Sequence, residues 1–150
     1  LWYPNGQKKY QCTYERSERN GEARLWAKDG TLVSVCNFKD NVLDGPMKAW
    51  YPDGTLKEEG THENGTFSTI ERHTKYFKSG NVFVQIENGK FKEFYENGDK
   101  SVDGCYKDGL RYGLWCTYFE GGGIQRKVMY ESGKENGEVN EFYPNGKLRA

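Results

Sequence analysis

Seven times the chain writes one short phrase: an aromatic pair or its remnant, then turn residues, then a glycine. The copies are Trp2-Tyr3-Pro4-Asn5-Gly6, Trp26-Ala27-Lys28-Asp29-Gly30, Trp50-Tyr51-Pro52-Asp53-Gly54, Tyr76-Phe77-Lys78-Ser79-Gly80, Phe94-Tyr95-Glu96-Asn97-Gly98, Tyr118-Phe119-Glu120-Gly121-Gly122 and Phe142-Tyr143-Pro144-Asn145-Gly146. Their glycines are spaced by 24, 24, 26, 18, 24 and 24 residues. Self-similarity at such a period marks a repeat array, in which each unit buries its apolar side only against its neighbours. Residues 1–150 therefore read as a single array of six to seven units of about 24 residues. The chain opens within one unit, at Leu1-Trp2-Tyr3, and stops just after a turn, at Leu148-Arg149-Ala150. Both ends read as cut, and a targeting segment of the parent protein is compatible with that.

Each period holds a second turn: Asn20-Gly21, Asp40-Asn41, Asn64-Gly65, Asn88-Gly89, Asp108-Gly109 and Ser132-Gly133. Asn-Gly and Asp-Gly between alternating segments signal two-residue hairpins. One repeat is thus strand, turn, strand, turn. The fold class is all-β, an antiparallel meander of about a dozen short hairpin strands without helices, stacked as an elongated, twisted sheet or solenoid. Pro52-Asp53-Gly54 fits a three-residue loop, because a two-residue turn would put Pro52 where the ladder needs an N–H. That loop pairs Trp50 with Leu56.

Alternation by two then assigns faces. At even offsets after the turn glycine stand Leu32, Leu56, Val82, Ile124, then Tyr10, Val84 and Val102, then Cys12, Cys36, Ile86 and Val128, then Tyr14, Phe38, Tyr106 and Tyr130. Odd offsets are mostly polar. The loop geometry adds the first rings, Trp2, Trp26, Trp50, Tyr76, Phe94, Tyr118 and Phe142, to the even, buried face. The second rings, Tyr3, Tyr51, Phe77, Tyr95, Phe119 and Tyr143, then form an aromatic row on the polar face, broken only by Ala27. Gly45, Gly113 and Gly137 stand two residues before Met47, Trp115 and Val139, where glycine permits a tight turn or a close ring approach. The array is irregular around 65–90: Thr66-Phe67-Ser68-Thr69-Ile70-Glu71-Arg72-His73 lacks the extra glycine, and a bulge or kink is expected there.

These motifs name a family by resemblance. Repeats of the form aromatic-Tyr-x-Asn-Gly-Lys-Leu with an upstream Gly resemble the bacterial MORN-repeat variant, best at Gly45 to Leu56, Gly113 to Ile124 and Gly137 to Leu148. Gly6 to Trp26 and Gly80 to Tyr95 depart from the pattern. The resemblance implies stacked β-hairpins that bind other proteins, as antitoxin or immunity components that neutralise a toxin. It carries over no catalytic residue. Distant eukaryotic MORN repeats imply membrane attachment and scaffolding.

Composition restricts the alternatives. Only 35% of residues are hydrophobic, but 15% are aromatic and 19 are glycine, which suits a thin β-structure packed through rings. Lys plus Arg number 22, and Asp plus Glu 22, so no net charge draws the chain to nucleic acid or anionic lipid. No Cys-x-x-Cys occurs among the four cysteines. Cys12 and Cys36 fall on alternate strands, beyond disulfide reach. Cys105 and Cys116 flank a hairpin, where a pairing stays open. Free thiols and a reducing, cytoplasmic compartment are the expectation.

No hydrolase, zincin, phosphate-loop or dinucleotide motif is present, so neither an enzyme nor a cofactor is expected. His62 takes the slot of Tyr14, Phe38 and Tyr106 and reads as a packed ring, not a metal ligand. Glu58 and Glu59 point to opposite sides of a strand and so form no acid–base pair. The binding candidates are the second rings: Tyr3, Tyr51, Phe77, Tyr95, Phe119 and Tyr143. They stiffen the sheet as a cross-strand ladder, meet a protein partner, or do both. Aromatic-aromatic-x-Asn-Gly repeats also suit a choline- or carbohydrate-binding wall module. A membrane-surface scaffold is disfavoured by the missing Lys/Arg cluster, and small molecules are not expected partners.

Overall fold

A computed structural model of the chain describes residues 1–67 and 71–149. Among them every regular element is a β-strand, and the strands fall into two compact units. The first (residues 1–67 and His73–Gly80) holds β1 (Tyr10–Glu15), β2 (Glu18–Trp26), β3 (Leu32–Lys39), β4 (Val42–Leu43), β5 (Gly45–Trp50), β6 (Leu56–Glu63), β7 (Thr66–Phe67) and β8 (His73–Tyr76). Its order is β1-β2-β3-β5-β6-β8, with β4 beside β3 and β7 beside β6. The second unit holds β9 (Val82–Glu87), β10 (Lys90–Phe94), β11 (Lys100–Lys107), β12 (Leu110–Tyr118), β13 (Ile124–Glu131), β14 (Lys134–Phe142) and β15 (Leu148–Arg149), each beside the next. Each is an open antiparallel meander, the all-β architecture expected from the repeats.

Five of the six expected two-residue turns form. Asp40-Asn41, Asn64-Gly65, Asn88-Gly89, Asp108-Gly109 and Ser132-Gly133 have positive φ at both residues, the geometry that matches strand twist. The sixth is a correction: the turn before β2 is Arg16-Ser17, at φ 50° and 68°, not Asn20-Gly21. Gly21 lies inside β2 with φ 94°. Like Gly45, Gly113 and Gly137 it stands nine residues before its turn glycine. At Gly21, Gly113 and Gly137 the ladder slips, as between Cys12↔Ala23 and Tyr14↔Arg19. A left-handed glycine absorbs such a bulge without a Cβ clash. Ser68, Thr69 and Ile70, where the kink was expected, lie outside the described residues.

The three-residue loops form as read. Gly54 N donates to Tyr51 O at 2.9 Å, Tyr51 N donates to Thr55 O at 2.8 Å, and Trp50 pairs with Leu56. Trp26↔Leu32, Phe94↔Lys100, Tyr118↔Ile124 and Phe142↔Leu148 repeat the arrangement.

The loop has a consequence that overturns the expected faces. Ala49 pairs with Glu58 and Trp50 with Leu56, so Lys57 is an extra residue in β6. A bulge of this kind shifts the side-chain alternation by one. The first rings and the second residue after glycine therefore join the odd face. Contacts confirm it. Tyr118 Oη donates to the Asp103 carboxylate at 3.2 Å, Tyr76 Oη to Glu59 at 2.8 Å, and Lys127 Nζ sits 5.7 Å over the Phe142 ring. Burial, then the Asp103 charge, pushes the Tyr118 hydroxyl up to about 12, so it stays a donor at neutral pH. The third residue after glycine moves the other way: Ser101 Oγ donates to Glu93, which pairs with Val102 on the even face. Trp26, Trp50, Tyr76, Phe94, Tyr118 and Phe142 are thus not on the even face. The second rings share that face instead.

What packs on the even face is a row of sixth residues and their partners. In the first unit it reads Cys12↔Ala23↔Cys36 and Met47↔Gly60, with His73 against Gly60. In the second it reads Ile86↔Phe91↔Gly104, then Trp115↔Val128↔Val139. Small residues stand beside large ones. Trp115 is 5% exposed and packs against Phe91 at 5.2 Å, Tyr106 at 5.3 Å and Tyr130 at 6.1 Å, with Arg111 stacked 4.4 Å above it. Its Nε1 donates to Cys105 O. A ring that removes about 200 Å² from water contributes about 5 kcal/mol. A Cβ on Gly104 would stand 2.2 Å from Trp115 Cδ2, so only glycine admits the indole.

The four cysteines are free. Ala23 stands between Cys12 and Cys36. Cys105 opposes Tyr112 and Cys116 opposes Asp103, so the hairpin does not bring those two thiols together. His62 is buried, as is its neighbour His73. His73 Nε2 donates to Glu58 at 2.8 Å, and Lys75 reaches the same carboxylate at 3.2 Å. Desolvation outweighs that carboxylate and holds His73 below the usual histidine value, and it lowers His62 likewise. Glu59, across the strand, meets Lys48 at 3.1 Å, so the two glutamates do point apart.

Two outcomes follow. Gly104→Ala overpacks the indole and lowers the unfolding free energy by about 1–3 kcal/mol, read from a urea midpoint, whereas Gly98→Ala, which meets open space, costs only the strain of its positive φ. Histidines of the unfolded chain take up protons near 6.5 while buried His62 and His73 resist. Stability is therefore full above that pH and falls as pH drops below it. His73→Phe should make the fall shallower; an unchanged slope would remove the histidine from the explanation.

Candidate protein interface

The second rings do not play one role. In the first unit Tyr3 Oη donates to Trp26 O and Tyr51 Oη to Tyr76 O, both at 2.9 Å. In the second, Tyr95 Oη donates to Tyr118 O at 2.8 Å. Each tyrosine therefore reaches from its own turn to the backbone beside the next turn. Polar links run in parallel: Asn5 Nδ2 to Lys28 O, Lys78 to Asp53, and Gly121 N to Asp99. Asx-type bonds fix the turn tips, as Thr55 N to Asp53 Oδ1 at 2.9 Å, and that bond holds the Asp53 carboxyl below its usual value. Cations lie on the ring faces: Lys9 over Tyr3, Lys57 over Tyr51 and Arg149 over Tyr143. Tyr3, Tyr51 and Tyr95 are thus half-buried staples.

Phe119 and Tyr143 differ. Phenylalanine offers no hydroxyl, and Tyr143 is 49% exposed. The two rings line one hollow of about 360 Å³ with Pro144, Arg126, Arg149 and Glu141. Arg126 and Arg149 each stand 3.9 Å from Glu141, and Arg126 also reaches Glu135 at 3.2 Å. A hollow that sets aromatic rings beside charged groups suits an inserted side chain of another protein. The arginines and Glu141 were not singled out from the sequence, because pairing across β13, β14 and β15 sets their meeting.

In the first unit the corrected faces expose a second hollow, of about 340 Å³, lined by Leu32, Val35, Pro46 and Trp50. Sequence reasoning missed it by placing Trp50 on the other side. Among the described residues no group of three or more His, Cys, Asp or Glu is placed to hold a metal. Among the described residues no helix is long and apolar enough to cross a membrane, which says nothing of strands.

The profile of the family described as MORN repeat variant matches residues 1–16, 43–64, 87–108 and 135–150, just over half of the chain. The matched stretches surround Gly6, Gly54, Gly98 and Gly146, the four turns whose second ring is tyrosine. Gly113 to Ile124, which keeps the aromatic pair and the upstream glycine, falls outside them. No curated protein matches the chain. Among solved structures, the crystal structure of a GtfA/B complex bound to UDP and GlcNAc is similar at 10% identity and a TM-score of 0.33. The alignment covers 86% of this chain and 26% of that one, a likeness too loose to bear on function.

Removing one hydroxyl at a time separates staple from surface. Tyr51→Phe and Tyr95→Phe should each lower stability by about 0.5–1.5 kcal/mol, while Tyr143→Phe leaves the urea midpoint unchanged. Equal effects at all three positions would refute the division.

Proposed function

We propose a protein-binding role for this chain, which belongs to the MORN repeat variant family. Repeats of this family are interaction modules, and the ring-lined surfaces described above suit that use. The contact residues we assign are Tyr3, Tyr51 and Phe77 in the first unit and Tyr95, Phe119 and Tyr143 in the second. Within that set the hollow between Phe119 and Tyr143 carries the reading, because it joins exposed aromatic surface to two arginines. Rings and Arg are the groups that dominate recognition energies. The partner we propose is a bacterial toxin, with this chain as its antitoxin or immunity-type inhibitor and no catalytic part of its own.

The test is capture from the native host, followed by titration calorimetry with the identified protein. Phe119→Ala and Tyr143→Ala should each weaken binding about tenfold or more, and Tyr95→Phe should bind as the native chain does. A partner held equally by all three variants would move the contact elsewhere. If the captured protein arrests growth when expressed alone and is silenced by co-expression of this chain, the inhibitor assignment stands. Its harmlessness when expressed alone would end that assignment.

A further inference from the structure

The sequence holds seven Asn-Gly steps: Asn5-Gly6, Asn20-Gly21, Asn64-Gly65, Asn88-Gly89, Asn97-Gly98, Asn136-Gly137 and Asn145-Gly146. Each is chemically able to rearrange. The glycine amide nitrogen adds to the asparagine side-chain carbonyl carbon, and no Cβ on the glycine stands in its way. The two reacting atoms must first come within about 3–3.5 Å of one another. A hydrogen bond on either partner opposes that approach. A carboxamide held by its oxygen or nitrogen does not rotate onto the amide, and an N–H given to a carbonyl must first be freed.

The fold restrains six of the seven. Asn5 donates to Lys28 O and accepts from Gln7 N. Asn97 accepts from Asp99 N, and Asn145 from Lys147 N. In these three loops the glycine N–H is also taken, by Tyr3 O, Tyr95 O and Tyr143 O. Asn20 accepts from Asp40 N, and Asn136 donates to Glu131 at 2.6 Å. Asn64 and Asn88 occupy the same left-handed turn position, at φ 48° and 50°, so backbone shape does not separate them. Their glycines do. Gly65 N donates to Leu43 O at 2.8 Å. Among the described residues Gly89 N has no acceptor, and the exposed Asn88 side chain has no hydrogen-bond partner.

We infer that Asn88-Gly89 is a self-modification site of the folded chain, reacting ahead of the other six steps. Gly89 N bonds to Asn88 Cγ, the Cγ–Nδ2 bond breaks, and ammonia leaves with the amide proton. The product is a five-membered succinimide. Water then adds to one of its two carbonyls. Opening at Cγ restores the main chain and leaves aspartate. Opening at the other carbonyl leaves isoaspartate, with the main chain rerouted through the side chain.

The two products act differently on the hairpin. Aspartate suits the position, since Asp108-Gly109 is the same kind of turn, with Asp108 at φ 51°. It takes the chain from zero net charge to one negative charge. Isoaspartate adds a backbone atom to the two-residue loop between β9 and β10. That loop sets the Glu87↔Lys90 pair and aims Gly89 O at Tyr106 N, 2.6 Å away. Tyr106 in turn packs on Phe91 and Trp115. The isoaspartyl form therefore loosens the Trp115 cluster, while the aspartyl form leaves it in place.

Timed tryptic digestion of the purified chain, kept folded at mildly alkaline pH, tests this. Trypsin releases residues 79–90, and mass spectrometry follows the gain of one mass unit as the amide becomes an acid. That fragment should convert about fivefold faster than the one holding Asn64-Gly65, the factor that one hydrogen bond is worth. In urea the lead should vanish, because the bonds restraining the other steps are gone. Asn88→Asp should fold with the native urea midpoint and abolish the gain in that fragment. The isoaspartyl form, separated by chromatography, should unfold at lower urea than the aspartyl form; equal midpoints would refute the loosening. Equal or faster conversion at any other Asn-Gly step of the folded chain overturns the inference. So does an undiminished lead in urea, or a gain that survives Asn88→Asp and so belongs to Asn81.

Discussion

The extra residue that follows each three-residue loop decides what this protein buries. It is Lys57 in the hairpin of Trp50 and Leu56, with counterparts wherever a first ring pairs with the second residue after glycine. Because side chains alternate with a period of two, one extra residue exchanges the faces of everything beyond it. Leu56 and Trp50 therefore lie with Lys48 and Glu59, while the fourth and sixth residues gather on the other side. Each strand has an apolar end on one face and an apolar middle on the other. That is how a chain with only 35% hydrophobic residues half-covers two faces rather than filling one.

Stability then comes from few, well-fitted contacts. Among the described residues burial is nearly complete at scattered positions such as Ala23, Trp115, Cys116, Val128 and Thr74. Around Trp115 the fit depends on Gly104, and around His73 on Gly60, whose Cβ would stand 3.0 Å from the imidazole. The same column holds Cys12 and Cys36 where the intervening residue is only Ala23. Volume is matched strand by strand, as close packing demands.

Much of this was legible in the chain itself. Turn chemistry located both loop types, since Pro-Asp-Gly and Asn-Gly state their dihedral requirements locally. The pairing of Trp50 with Leu56 followed from the missing N–H of Pro52. The faces did not, because a bulge adds a residue without changing composition or the spacing of the glycines. Gly21 was misplaced for a similar reason: Asn-Gly signals a hairpin and a strand bulge alike, and only its distance from Gly30 tells them apart. At the interface the rings themselves were visible. The carbonyls that receive Tyr3, Tyr51 and Tyr95 were not, because no side-chain pattern records where a backbone oxygen points. Arg126, Arg149 and Glu141 meet through strand order, and a sequence read one strand at a time does not show it.

The tyrosine staples make the repeats unequal partners. Tyr3 serves the segment ending at Trp26, Tyr51 the one ending at Tyr76, and Tyr95 the one ending at Tyr118, while Ala27, Phe77 and Phe119 give nothing onward through a hydroxyl. Giver and receiver alternate, so the heritable brick of this architecture is a couple, with successive givers 48 and 44 positions apart. Unequal recombination that copied a lone member would set giver beside giver or receiver beside receiver and strand a phenol or a carbonyl. Growth and loss in such a lineage should therefore proceed by twos.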